Sequence, residues 1–292
     1  PLAAGAQPVA GTWRALVLLV DFSDKTPTLY PGTAGATHFN SMLFDNPAYT
    51  NSLQDYYKEI SRQAFTLNGN AVGGSSGWYR APQTCAYYVA GNAGLGTYPQ
   101  NCQKLVEDVA ALADPDVDFS QYANDGSDYI NALFVVHAGM GQEESGDATD
   151  IWSHKWQTYT QPVLDGKTLS VYSIEPENGL VGVFAHEFGH VLGLPDLYDY
   201  GYDSVGVGDW SLMAAGSWGG GDGSLPAGLD AWCRVQLGWV DPIVPTSSQT
   251  NVSFPQIEGN PVGSSSGVIY KLWCGTPTNE YWLVENRQQV GF

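Results

Sequence analysis

Two histidines four residues apart, with a glutamate between them, are the residues best placed to do chemistry: His186-Glu187-Phe188-Gly189-His190. On a helix, residues i and i+4 share a face one turn apart. Two imidazoles so placed can bind one metal ion, with nitrogen–zinc distances of roughly 2.0–2.1 Å. Glu187 lies about 100° round the helix from His186. That offset keeps it from joining them as a ligand but lets it reach water activated by the metal, the position of a general base. The pattern continues through Gly193 to Asp196. Gly193 can turn the chain out of the helix with a positive φ. Asp196, behind the stiff Pro195, can then swing back as an oxygen ligand. Three protein ligands and one open position are what a catalytic zinc takes. Asp199 is the alternative third ligand. A glutamate from a later helix is the competing geometry, but the first Glu after Glu187 is Glu258, 68 residues past His190.

The elements that must position this group follow from periodicity. Apolar residues at 181, 184, 185, 188, 191 and 192 step by three and four. Leu180–Gly193 therefore reads as a helix with one buried face, capped by Asn178 and stopped by Gly193. Trp13–Phe22 and Asn131–His137 are continuous apolar runs, the mark of buried strands, the second one central. Leu169–Ile174 alternates as a strand should. Asn101–Ala113 reads as an amphipathic helix capped by Asn101 and ended near Pro115. Ser52–Ile60 reads as a surface helix, and Leu229–Leu237 as a helix with a Trp anchor. Ala71–Thr97 should be loops with short strands. Residues 194–224, rich in Gly, Asp and aromatics, predict an irregular but ordered chain. Residues 241–292 read as strands.

The 292 residues carry 11 Lys+Arg against 30 Asp+Glu, a formal charge of −19. So acidic a chain has no electrostatic footprint for nucleic acid or an anionic membrane. No apolar run approaches the roughly 18 residues of a membrane helix. Aromatic residues at 13% argue against disorder. Between Leu105 and His154 stand eleven acids and no Lys or Arg. Clustered carboxylates there suit calcium, a hard cation, or simply a solvated face. The four cysteines, Cys85, Cys102, Cys233 and Cys274, form no C-x-x-C pair. Wide spacing and even number suggest disulfides and an oxidising compartment. Cys85–Cys102 and Cys233–Cys274 close the shorter loops; four free buried thiols are the other reading.

A resemblance adds to these readings. His186–Asp196 (HEFGHVLGLPD) resembles the long zinc motif of metzincin metallopeptidases, in the variant with Asp as third ligand. Asp209–Trp218 (DWSLMAAGSW) looks like their Met-turn, with Met213 beneath the metal. The whole chain resembles the immune inhibitor A family of secreted bacterial metallopeptidases. Further matching stretches are Leu16–Asp24, Val136–Gln142, Ile151–Trp156, Leu229–Trp239 and Glu285–Phe292 (ENRQQVGF). The resemblance implies a secreted, extracellular zinc endopeptidase, often stabilised by calcium, acting on proteins or peptides. It implies an α/β, metzincin-like zincin with a twisted mixed sheet, a backing helix and an active-site helix. Residues 1–240 would form the catalytic domain, its upper half ending near 193, and 241–292 the start of a further module. The protein should act as a monomer and insert in no membrane. One departure concerns the Tyr that some metzincins place two residues after the Met; here that position is Ala215.

His137 and His154 could line the cleft and donate to the oxyanion, or serve as hydrogen-bonded structural residues. Ile151–Trp156 could offer a sheet edge to an extended peptide. A different class of function, an adhesion or carbohydrate-binding module with a structural metal, draws on the aromatic- and Gly-rich composition. Glu187 speaks against it, because a structural site needs no base.

Overall fold

The computed structural model describes residues 8–44, 51–201, 203–258, 266–273 and 280–292. Twelve strands are described: β1 (Gly11–Asp21), β2 (Phe65–Val72), β3 (Tyr79–Arg80), β4 (Tyr129–Ile130), β5 (Leu133–His137), β6 (His154–Gln157), β7 (Val163–Leu164), β8 (Lys167–Leu169), β9 (Val171–Pro176), β10 (Asp241–Ile243), β11 (Ser266–Trp273) and β12 (Tyr281–Glu285). The α-helices are α1 (Ala34–Leu43), α2 (Leu53–Ile60), α3 (Cys85–Val89), α4 (Cys102–Ala113), α5 (Gln142–Ser145), α6 (Val181–Val191) and α7 (Ala231–Gln236).

Six strands make one mixed sheet in the order β2-β1-β5-β9-β6, with β3 paired to β1. Its strands run parallel except β6, which lies antiparallel to β9 at the edge. The continuous apolar run of β1 has a simple cause: both faces of the sheet are covered. Ala15, Val17 and Leu19 join one apolar cluster with α1, α2 and α6. Leu16, Leu18 and Val20 join a second cluster with α3 and α4. The α/β class is as expected, and the sheet is mixed.

Local chemistry sets the helix boundaries. Asn101 caps α4 by accepting from the Lys104 N–H. Ser52 and Asp55 form a capping box at α2. α2 is not a surface helix, however. Leu53, Tyr56, Tyr57 and Ile60 are buried, and so is its polar Gln54, which donates to the Leu67 carbonyl and Asn68 Oδ1. The Tyr57 hydroxyl donates to the Ala185 carbonyl at 2.6 Å and ties α2 to α6. α6 begins after Leu180 without a side-chain cap. The Gly182 N–H donates to the Gly223 carbonyl instead, and Asn178 is engaged with Gly141 and Glu144. α7 is capped by Asp230, and Trp232 is partly buried against the first cluster. Leu169–Ile174 is two strands rather than one, because the chain breaks at Ser170 and passes from the small β4-β8-β7 sheet into the main one. The 71–97 stretch holds α3 besides loops and short strands.

Residues 194–201 and 203–224 are irregular, with short 3-10 turns at Gly208–Trp210 and Ala215–Gly221. Beyond them β10, β11 and β12 form a three-stranded sheet. Its Val268 and Ile269, with Val240 and Ile257, pack on Ala231 of α7 in a third cluster. Among the described residues no helix is long and apolar enough to cross a membrane.

The expected Cys85–Cys102 disulfide is absent: both thiols are free and buried, as is Cys233. Cys85 and Cys102 sit in the second apolar cluster and pack there as small apolar groups. Burial pushes the Cys85 thiol up to about 11 and that of Cys102 higher still. Cys274, the expected partner of Cys233, lies outside the described residues.

Candidate metal centre and active site

α6 is fixed in rotation by its apolar stripe. Val181, Phe184, Ala185 and Phe188 enter the first cluster, and the Phe188 ring meets Tyr57 and Phe134 with centroids 5.3 and 5.5 Å away. This turns His186 and His190 towards a cleft. Each histidine Nδ1–H donates to a backbone carbonyl, His186 to Leu212 at 2.9 Å and His190 to Leu194 at 2.8 Å. The neutral imidazoles are thereby left with a lone pair on Nε2. The two Nε2 atoms lie 3.2 Å apart. Gly193 takes φ +97° and turns the chain back, and Asp196 Oδ1 arrives 3.0 Å from His186 Nε2 and 3.2 Å from His190 Nε2. Three acceptor atoms within 4.8 Å of one another repel unless a positive charge sits among them. The two imidazoles and one carboxylate fit a zinc-type ion. The second Asp196 oxygen, Oδ2, accepts from the Tyr200 hydroxyl at 2.7 Å.

Glu187 is adjacent and buried. Burial raises its pKa, against the lowering effect of His186 and His190. Its basicity is thus nearer neutrality than that of a free carboxylate, as a general base requires. Beneath α6 lies Met213, fully buried. A Cβ at Gly189 would fall 2.5 Å from its Sδ, so a larger residue there would have to displace the end of the Met213 side chain. The Met213 carbonyl accepts from the Leu197 N–H at 2.7 Å. The Met213 N–H donates to Ser211 Oγ, whose own proton goes to Asp230 at 2.7 Å. Strip 211–213 is therefore fastened on one side to the ligand loop and on the other to the cap of α7.

A family model described as the immune inhibitor A peptidase M6 catalytic domain matches residues 7–240. This chain belongs to the immune inhibitor A peptidase family. It is 32% identical over 277 residues to a pre-pro-metalloprotease, PrtV, of Vibrio cholerae serotype O1, covering 77% of this chain and 30% of that protein. It is also 32% identical over 257 residues to an immune inhibitor A of Bacillus thuringiensis subsp. alesti, covering 71% of this chain and 36% of the relative. The chain spans about a third of the length of these curated relatives.

In this immune inhibitor A peptidase domain the three clustered residues open onto a cleft of about 900 Å³, lined also by Glu143, Trp152, His154, Val183, Tyr198 and Trp218. His154 lies at the cleft. Its Nδ1–H donates to the Trp152 carbonyl, and its Nε2 accepts from the Tyr172 hydroxyl. Burial pushes its pKa down to about 4, so the neutral ring has one N–H and that one is engaged. His137 is buried in the sheet and does not line the cleft. Its Nδ1–H donates to the Ala138 carbonyl, and Nε2 has no partner. Asp199, the alternative ligand, accepts from the N–H groups of Gly201, Asp203 and Ser204 and so caps its own loop at the rim. Among the described residues no second group of His, Cys, Asp or Glu gathers as these three do. Sequence reasoning missed the carbonyls of Leu194 and Leu212 that aim the imidazoles, and Tyr200 on Asp196. Backbone acceptors carry no residue-type signal.

Proposed function

We propose that the chain is the catalytic part of a secreted bacterial zinc endopeptidase. His186, His190 and Asp196 are its zinc ligands and Glu187 is its general base. The observation that carries this reading is the convergence of three lone-pair atoms, two of them on imidazoles locked by backbone carbonyls, beside a buried carboxylate. When bound, the ion supplies Lewis-acid polarisation of water and of the scissile carbonyl. The Glu187 carboxylate accepts the proton of the attacking water and hands it to the leaving amine nitrogen. The Leu212 and Leu194 carbonyls hold the two rings at the angle the ion needs. Met213, under the ligands, serves as the Met-turn. The outer edge of β6 offers backbone N–H and C=O groups to an extended substrate.

The substrates are proteins or peptides, and the enzyme acts as a monomer. The charge of −19 supports a soluble, exported protein and no nucleic-acid partner. Export is further supported by the name of the Vibrio relative, a pre-pro-metalloprotease. Metal analysis together with casein digestion, with and without a chelator, tests the reading. The purified protein should carry stoichiometric zinc and lose cleavage on chelation. Full cleavage by metal-free protein would overturn it.

A further inference from the structure

Residues 281–292 lie beyond the family-matched 7–240, yet one of their side chains reaches the framework of the metal centre. Arg287 donates through Nη1 to the Trp210 carbonyl. Through Nη2 it donates to the carbonyls of Gly228 and Leu229, both at 2.9 Å. Its Nε faces the carboxylates of Glu285 at 3.4 Å and Glu258 at 3.9 Å. Glu258 is held in turn by the Gln288 N–H at 3.0 Å. A planar guanidinium fixed by two carboxylates presents its remaining donors in one rigid fork.

The carbonyls in that fork are not arbitrary. Gly228 O also accepts from the Leu212 N–H at 3.4 Å. Leu212 O is the acceptor that aims His186. Trp210 opens the same strip, two residues earlier. Leu229 O is shared with the buried Arg234, whose Nε donates at 2.8 Å. Arg287 therefore clamps both sides of the 210–212 strip, and one further hydrogen bond separates that strip from the imidazole. The remaining tail is fastened too: the Phe292 ring meets Tyr56 at 5.0 Å, and its N–H donates to Glu59.

We propose that Arg287 is a positioning residue for the metal centre, acting through the Gly228 and Leu212 backbone on the orientation of His186. The C-terminal segment is then part of the catalytic unit. The inference rests on His186 being a metal ligand. Loss of the fork would let the Leu212 carbonyl drift and the His186 ring rotate. Groups that orient a ligand typically matter 10–100-fold in metal affinity, and one more bond of distance puts Arg287 near the lower figure.

The test uses the 292-residue chain, its Arg287→Ala and Arg287→Lys variants, and Asp196→Ala as a ligand-loss control. Apoprotein is titrated with Co2+ while the visible d–d absorption is followed, with zinc competition for affinity. Wild type should bind one Co2+ with a four- or five-coordinate spectrum. Arg287→Ala should bind about tenfold more weakly with an altered spectrum, and its kcat should fall while KM changes little. Arg287→Lys, which keeps the charge but not the fork, should recover part of both. If the Ala variant does not fold, the Lys variant carries the same readouts. A lowered melting temperature with unchanged cobalt affinity and spectrum would make Arg287 merely structural and end the proposal. Wild type that takes up no cobalt would instead fell the metal-centre reading, and this inference with it.

Discussion

The Nε2 atoms of His186 and His190 face each other at 3.2 Å, and neither has a proton to offer while its Nδ1–H stays on a backbone carbonyl. With the Asp196 oxygen 3.0 and 3.2 Å from them, the three atoms form a triangle of lone pairs that a cation would hold together.

Metal binding should therefore stabilise the fold. At a thousandfold excess over Kd, a ligand that binds only the native state contributes about 4 kcal/mol. Thermal unfolding with and without a zinc-selective chelator should show a clear loss of melting temperature in wild type and almost none in Asp196→Ala. Identical chelator responses in the two proteins would contradict the assignment of Asp196.

Glu187→Gln removes the proton acceptor while keeping size and shape. The variant should retain the metal and lose at least about 100-fold in kcat, the low end for general acid–base catalysis. Peptide cleavage by metal-loaded variant, compared with wild type at equal metal content, decides this. A rate within tenfold of wild type would mean that another group takes the proton.

Gly182 shows how closely α6 is pressed on the lower half of the molecule. A Cβ there would lie 1.9 Å from the Ser217 carbonyl oxygen and 2.9 Å from that of Gly223. Alanine normally improves a helix by about 1 kcal/mol over glycine. Here backbone must shift, and overpacking of this kind costs about 1–3 kcal/mol. Gly182→Ala should lower the urea midpoint and, because Ser217 lines the cleft, reduce activity as well. A stabilised variant would show that the contact yields freely.

His137 should make the protein acid-sensitive. Burial depresses its pKa to about 4, only partly opposed by the Ala138 carbonyl; Lys25 depresses it further, while Asp150 and Glu177 raise it. The unfolded chain takes the proton near the ordinary value of about 6.5. Below that pH the unfolded state binds a proton that the folded state refuses, so stability falls from about pH 6.5 to about pH 4 and then levels. Linkage puts the full loss at about 3 kcal/mol. His137→Leu keeps the volume and removes the lone orphaned nitrogen. Denaturation midpoints across this window should separate the two proteins progressively; parallel curves would refute the account.

The gathering of His186, His190 and Asp196 was legible because it is written in side chains at fixed spacing, with Gly193 turning the chain back. The central strands were legible because Ala15–Val20 and Leu133–Val136 are buried on both faces. Tertiary contact decided the rest. α2 looks like a surface helix until Tyr57 is seen to donate to α6, and Gln54 is polar but satisfied within the interior. Asn178 has the right chemistry to cap α6, but its amide is engaged by Gly141 and Glu144. Cys85 and Cys102 are free thiols in the second apolar cluster, because loop length alone does not decide whether two cysteines pair. Arg287 stands in the resembling stretch Glu285–Phe292, but its contacts to Trp210, Gly228 and Leu229 were not legible, because main-chain carbonyls are provided by any sequence.

Leu197 is held on both sides: its N–H donates to the Met213 carbonyl, and its own carbonyl accepts from the Val207 N–H at 3.0 Å. Gly206, at φ +58°, passes so close that a Cβ would lie 2.2 Å from that carbonyl. Positions 197 and 207 are thus the two posts of a gate, and the ligands stand behind it. Between the posts the chain returns to Asp196 through the Tyr200 hydroxyl on Oδ2, so exchanges at the rim that keep Tyr200 leave that contact in place. Anchored this way, the cluster of His186, His190 and Asp196 leaves the rim beyond Tyr200 as the part where new tastes for substrate could be tried without moving the three residues.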